Sequence, residues 1–112
     1  MVTDDQVVAE LLASGLGDWV SLHDVVWLCT EGAITPVAKS RTLRVLERVY
    51  SEYLMVPGDL GESGFDDWPQ PNGWLARSEA DLNRLDWRPM GDGFWLRLTE
   101  RGLQRARRIG QS

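Results

Sequence analysis

The chain reads as an α+β domain, and three observations predict it. Four stretches begin with a helix-capping residue ahead of apolar residues at helical spacing. Two short segments, Leu54-Met55-Val56 and Phe94-Trp95-Leu96-Arg97-Leu98, alternate as strands do. The 112 residues, 43% hydrophobic and 26% charged, suit one globular domain, not two, and not a disordered chain. One domain over residues 1–112 is therefore expected.

Thr3 caps a first helix whose first turn carries Asp4 and Asp5, both favourable at the positive end of the helix dipole. Val7, Val8, Leu11 and Leu12 form its apolar face, and Gly15 with Gly17 stops it. Trp19-Val20 offers a single strand rung. Ser21 and Asp24 then form a capping pair for a helix through Val25, Val26, Leu28 and Cys29, ended by Gly32. Thr35-Pro36 starts the third helix, a capping hydroxyl followed by proline at the first helical position. Over residues 35–54 the wheel gathers Ala38, Leu43, Val45, Leu46, Val49, Tyr50, Tyr53 and Leu54 on one side. Arg41, Arg44 and Arg48 fall together on the other.

The strand at 54–56 is expected to end at Pro57-Gly58. An excursion over residues 58–93 follows, beginning acidic and glycine-rich, with a helix from Trp74 to Leu85. The second strand leads to Thr99, which opens a last helix with Leu103, Ala106 and Ile109 inside and Arg101, Arg105 and Arg108 outside. The strands are expected to pair antiparallel despite their separation. Leu11, Val25, Leu28, Leu43, Leu46, Tyr50, Leu96 and Leu103 are the expected core.

This order is that of a winged helix-turn-helix-like domain with a long helix-containing insertion between the two wing strands. Phe94-Trp95-Leu96-Arg97-Leu98-Thr99-Glu100-Arg101-Gly102 resembles the last wing strand and following helix of bacterial winged-helix regulators of the MarR and PadR types. Val20-Ser21-Leu22-x-x-Val25 resembles the short strand leading into their second helix. The resemblance covers residues 3–57 and 94–109. Val56-Pro57-Gly58-Asp59-Leu60 through Phe65-x-x-Trp68 is also similar to small actinobacterial proteins, a likeness that implies a fold and no activity.

The net charge is −5, which excludes a non-specific polyanion binder. It is unevenly spread: residues 1–38 hold six acids and no Lys or Arg, 39–50 carry +3, 51–70 carry −5 and 91–112 carry +3. One cysteine, Cys29, and one histidine, His23, leave neither an internal disulfide nor a familiar zinc cluster. Cys29 reads as a small core residue and His23 as a surface or packing residue. Ser21, His23 and Asp24 bear the names of a hydrolase triad, but neighbours on a helix point apart, and capping accounts for two of them. No catalytic residue, metal ligand or cofactor is assigned, and the chain is read as a non-enzyme. An acidic start without a signal-peptide pattern, and no apolar run longer than Val25–Cys29, predict a cytoplasmic protein with no membrane partner.

Two functions stay open. Lys39, Arg41, Arg44 and Arg48 lie on the helix that enters the DNA major groove in the resembled fold, so a DNA-binding regulator using residues 35–54, as a dimer, is the alternative. An ordinary solvated face explains the stripe equally well. Asp59, Glu62, Asp66 and Asp67 would repel phosphate at the wing, and three of the six tryptophans fall within the excursion. Tryptophan suits cores and interfaces alike. The preferred reading is a protein-protein interaction module, an adaptor or an inhibitor of a basic partner. Its interface would be Asp59, Glu62, Asp66, Asp67, Trp68 and Trp74, with a homodimer also open.

Overall fold

A computed structural model describes residues 3–110. Within them five α-helices surround a four-stranded antiparallel sheet, so the class is α+β as expected. Helix α1 (Asp4–Gly17) is closed by a full capping box. Thr3 Oγ1 accepts from the Gln6 amide, and Gln6 Oε1 accepts from the Thr3 amide. After β1 (Val20–Ser21), Ser21 caps α2 (Leu22–Thr30) by accepting from the Asp24 amide at 3.2 Å. Thr35 caps α3 (Pro36–Ser51) through the Ala38 amide, with Pro36 in the first turn. These starts stand where the capping residues place them, because each cap is a contact over three residues.

The end of α3 comes earlier than residue 54. The chain reverses at Tyr53 in the left-handed region, φ 53°, and the Leu54 amide bonds back to the Val49 carbonyl at 2.8 Å. Leu54 is thereby fully buried at the foot of β2 (Met55–Gly61).

Strand β2 runs straight through Pro57-Gly58, where the sequence predicted its end. The reason lies in the ladder. The Trp68 amide donates to the Pro57 carbonyl at 2.9 Å, so the missing Pro57 N–H would have pointed at the Trp68 carbonyl. That carbonyl instead accepts from Trp74 Nε1 at 3.1 Å, and no polar group is stranded. At Gly58 a Cβ would run into the Phe65 ring and the Asp66 carbonyl, so glycine is what allows the close approach of β3 (Gly64–Asp67). The acidic start of the excursion is thus a hairpin of β2 and β3, with Asp59 opposite Asp66 and Leu60 opposite Phe65.

Helix α4 (Trp74–Arg84) occupies the stretch predicted from Trp74 to Leu85. Strand β4 (Trp95–Leu98) returns between β1 and β2, giving the order β1-β4-β2-β3. Met55 pairs with Leu98 and Pro57 with Leu96, so the expected long-range antiparallel pairing is present. In α5 (Glu100–Gly110) the buried face is Gly102 and Ala106, while Ile109 is exposed and Leu103 half-buried. This corrects the expected phase of Leu103, Ala106 and Ile109. Thr99 Oγ1 accepts from the Gly102 amide and donates to the Tyr53 carbonyl, tying the start of α5 to the α3–β2 turn.

The core joins Leu11, Val25, Leu46 and Leu96 with Leu12, Val45, Val49, Met55 and Phe94, while Leu28, Leu43 and Tyr50 pack half-buried at its margin. Leu103, expected among them, lies apart from this cluster. Gly102→Ala tests the approach of α5. A Cβ there would press into the Leu54 backbone carbonyl, so the variant should lose about 1–3 kcal/mol in a two-state melt. An unchanged melt would mean that α5 sits further from the sheet.

Candidate functional site

Arg41, Arg44 and Arg48 share one flank of α3, but that flank faces the start of α1. Capping by Thr3 fixes Asp4 and Asp5 there, in the first turn. Arg44 Nε donates to Asp4 at 2.9 Å and Arg41 Nε stands 3.7 Å from the same carboxylate. Arg48 bonds Asp5 and, at 3.0 Å, Glu52, which also meets Arg105 at 3.6 Å. The hydrogen bond from Arg44 holds the Asp4 carboxyl below its usual range, and the same contact raises Arg44. Lys39 lies over the Trp87 ring, 5.4 Å from its centre. Arg41, Arg44 and Arg48 thus each stand within 4 Å of a carboxylate, and the exposed Glu47 adds a further acid to the same helix.

The hairpin differs. Of its four acids, Asp67 holds Arg97 in a two-pronged contact at 2.8 and 2.6 Å. That hydrogen bonding lowers the Asp67 carboxyl from its ordinary value. Asp59 accepts from Trp68 Nε1 at 3.0 Å and stands 3.6 Å from Arg77. Asp66 and Glu62 have no cationic partner among the described residues. Asp66 sits directly opposite Asp59, an arrangement in which like charges repel. On the other face of the hairpin Leu60 stands opposite Phe65, and Phe65 meets Trp19, with ring centres 5.6 Å apart.

Trp68 and Trp74, expected at the interface, are only 3% and 4% exposed. Trp68 packs on Phe94 with ring centres 4.8 Å apart, and Arg77 covers its outer face at 3.9 Å. Trp74 stands edge-on to Tyr50. Ser78 Oγ donates to the Trp74 carbonyl, which leaves it to accept from the Tyr50 hydroxyl at 2.7 Å. These tryptophans hold the excursion to the domain rather than presenting it to a partner.

The sequence reading missed a groove of about 220 Å³ between α2 and the 87–90 turn, lined by Trp27, Ile34, Trp87 and Met90 among others. Trp27 is 59% exposed and Met90 73%. Asp86, Trp87 and Met90 all adopt left-handed backbone, held by Trp87 Nε1 donating to Asn83 at 3.0 Å. The turn-forming run Arg88-Pro89-Met90-Gly91 was the available signal.

Cys29 is buried, and burial pushes its thiol up to about 12, so it is no thiolate nucleophile at neutral pH. Ser21 serves as a cap and His23 is exposed. Among the described residues no group of three or more His, Cys, Asp or Glu converges as metal ligands, and no helix is long and apolar enough to cross a membrane. No protein-family model matches the chain, and neither does any curated protein or solved structure.

The lowered carboxyls make a pH prediction. Asp4 and Asp67 are depressed in the folded state, so their contribution is present above the ordinary value of 3.8 and is lost as pH falls through the folded values. Urea unfolding should therefore show stability falling below about pH 4, and Asp67→Asn should make that fall shallower. Both groups are partly exposed, so screening keeps the Asp67 contribution to about 1 kcal/mol or less. An unchanged acid limb in Asp67→Asn would remove this pair from the account.

Proposed function

We propose that this chain is a non-enzymatic protein-binding module on a winged-helix-like scaffold, and that its β2–β3 hairpin receives a basic partner. The observation that carries the reading is the contrast between two charged surfaces. On α3 each arginine already meets a carboxylate. On the hairpin Asp66 and Glu62 meet no cation among the described residues, and Asp66 faces Asp59 across the ladder. A cationic partner would relieve that repulsion, whereas a phosphate backbone would add to it. The element order, with α2 and α3 followed by β2, β4 and α5, supports the winged-helix-like reading of the scaffold.

The test sets DNA against a polycation. Fluorescence anisotropy with a labelled duplex should give no binding tighter than about micromolar at physiological salt, the range of non-specific contacts. Arg44→Ala should leave that weak binding little changed. A 20-residue lysine peptide should bind, more weakly as salt rises, and lose affinity in the Glu62→Lys, Asp66→Lys double variant. A nanomolar, sequence-selective, Arg44-dependent duplex complex would overturn the reading in favour of a DNA regulator.

A further inference from the structure

We propose that β3 is a docking edge, where an extended partner segment alternating basic and apolar side chains adds a fifth strand to the sheet. This gives the binding mode of the hairpin and rests on the reading above. The order β1-β4-β2-β3 leaves β3 with β2 on one side only. Trp68 turns its backbone toward β2, as its bond to the Pro57 carbonyl shows. Backbone direction alternates along an antiparallel ladder, so Asp66 and Gly64 also face β2. The N–H and C=O groups of Phe65 and Asp67 therefore point away from the sheet, two donors and two acceptors in extended geometry.

Edges of this kind are ordinarily blunted by lysine, proline, a bulge or a covering element. Gly64–Asp67 contains no lysine or proline. What guards it is negative charge, and that guard is selective. A second copy pairing here would set Asp66 and Asp67 of each chain against those of the other, which like-charge repulsion opposes. A cationic strand meets the opposite situation. Neighbouring strands share faces, so its apolar side chains would lie beside Phe65, next to Leu60 and Trp19. Its basic ones would lie beside Asp66.

The experiment titrates the full chain with a capped hexapeptide of alternating lysine and valine, followed by amide NMR. Binding should shift the Phe65 and Asp67 amides most and protect them from solvent exchange. The same peptide N-methylated on the amides that face β3 should bind about tenfold more weakly or worse, since two hydrogen bonds are lost. Asp66→Lys, which removes the like-charge pair and should fold normally, should weaken the unmodified peptide. Equal binding of the N-methylated peptide would overturn edge pairing while leaving the acidic surface as a binding site. No binding of either peptide would overturn both readings. Sedimentation showing a dimer that protects the Phe65 and Asp67 amides would assign the edge to a second copy instead.

Discussion

Trp68→Ala should destabilise the fold by about 3–5 kcal/mol, the range for removing a buried aromatic. The ring is 3% exposed, packs against Phe94, lies under the Arg77 guanidinium and donates to Asp59. All three contacts are lost together. Small domains are stable by about 5–15 kcal/mol, so the variant should sit near the edge of folding. Trp68→Phe keeps most of the packing and loses the hydrogen bond to an exposed carboxylate, which should cost closer to 1 kcal/mol. Urea unfolding of the two variants checks the pair. A Trp68→Ala loss below about 1 kcal/mol would mean that the ring is not part of the core. The stability role also makes Trp68 a poor probe of binding, for which Asp66 is the clean substitution.

Leu46→Ala should cost about 2–5 kcal/mol, because the side chain is completely buried where α3 faces α1 and α2. The spread reflects how far the surrounding core relaxes into the vacated space. Val45 and Val49 flank it on the same helix, and both are β-branched and stiff, which limits that collapse. The upper half of the range is therefore expected. A two-state melt showing less than about half a kcal/mol would mean that the buried face of α3 is wrongly phased.

The candidate surface was half legible in the sequence. The acidic run Asp59, Glu62, Asp66 and Asp67 announced itself by composition, and the structure brings Asp59 and Asp66 directly opposite one another. What composition hid is that Asp67 and Asp59 are already engaged, by Arg97 and by Trp68 with Arg77. The arginine stripe was visible on the wheel, but its neutralisation was not. Asp4 lies 40 residues from Arg44 in the chain, and a helical wheel says nothing about which neighbouring helix end will face it.

Local contacts set the helix starts. Thr3, Ser21 and Thr35 each hold an amide three residues on, and that information lies within one turn of chain. The alternation of β4 likewise pointed to its place beside β2, because a slip of one residue would turn Leu96 away from the face that buries Met55. Strand β3 had no such signal, since Gly-Phe-Asp-Asp offers a single apolar residue. It becomes a strand because Gly58 and Gly61 let it approach β2 and because Trp19 receives Phe65. Proline at residue 57 read as a stop, and only the Trp74 indole, reaching the one carbonyl that proline leaves unbonded, lets β2 continue. The phase of α5 was decided in the same way. Side-chain hydrophobicity favoured Leu103, but packing against the Leu54 carbonyl needs the residue with no side chain, so Gly102 lies inside. Periodicity and caps record what a segment prefers by itself, whereas close approach and carboxylate–guanidinium pairing depend on which distant backbone arrives beside it.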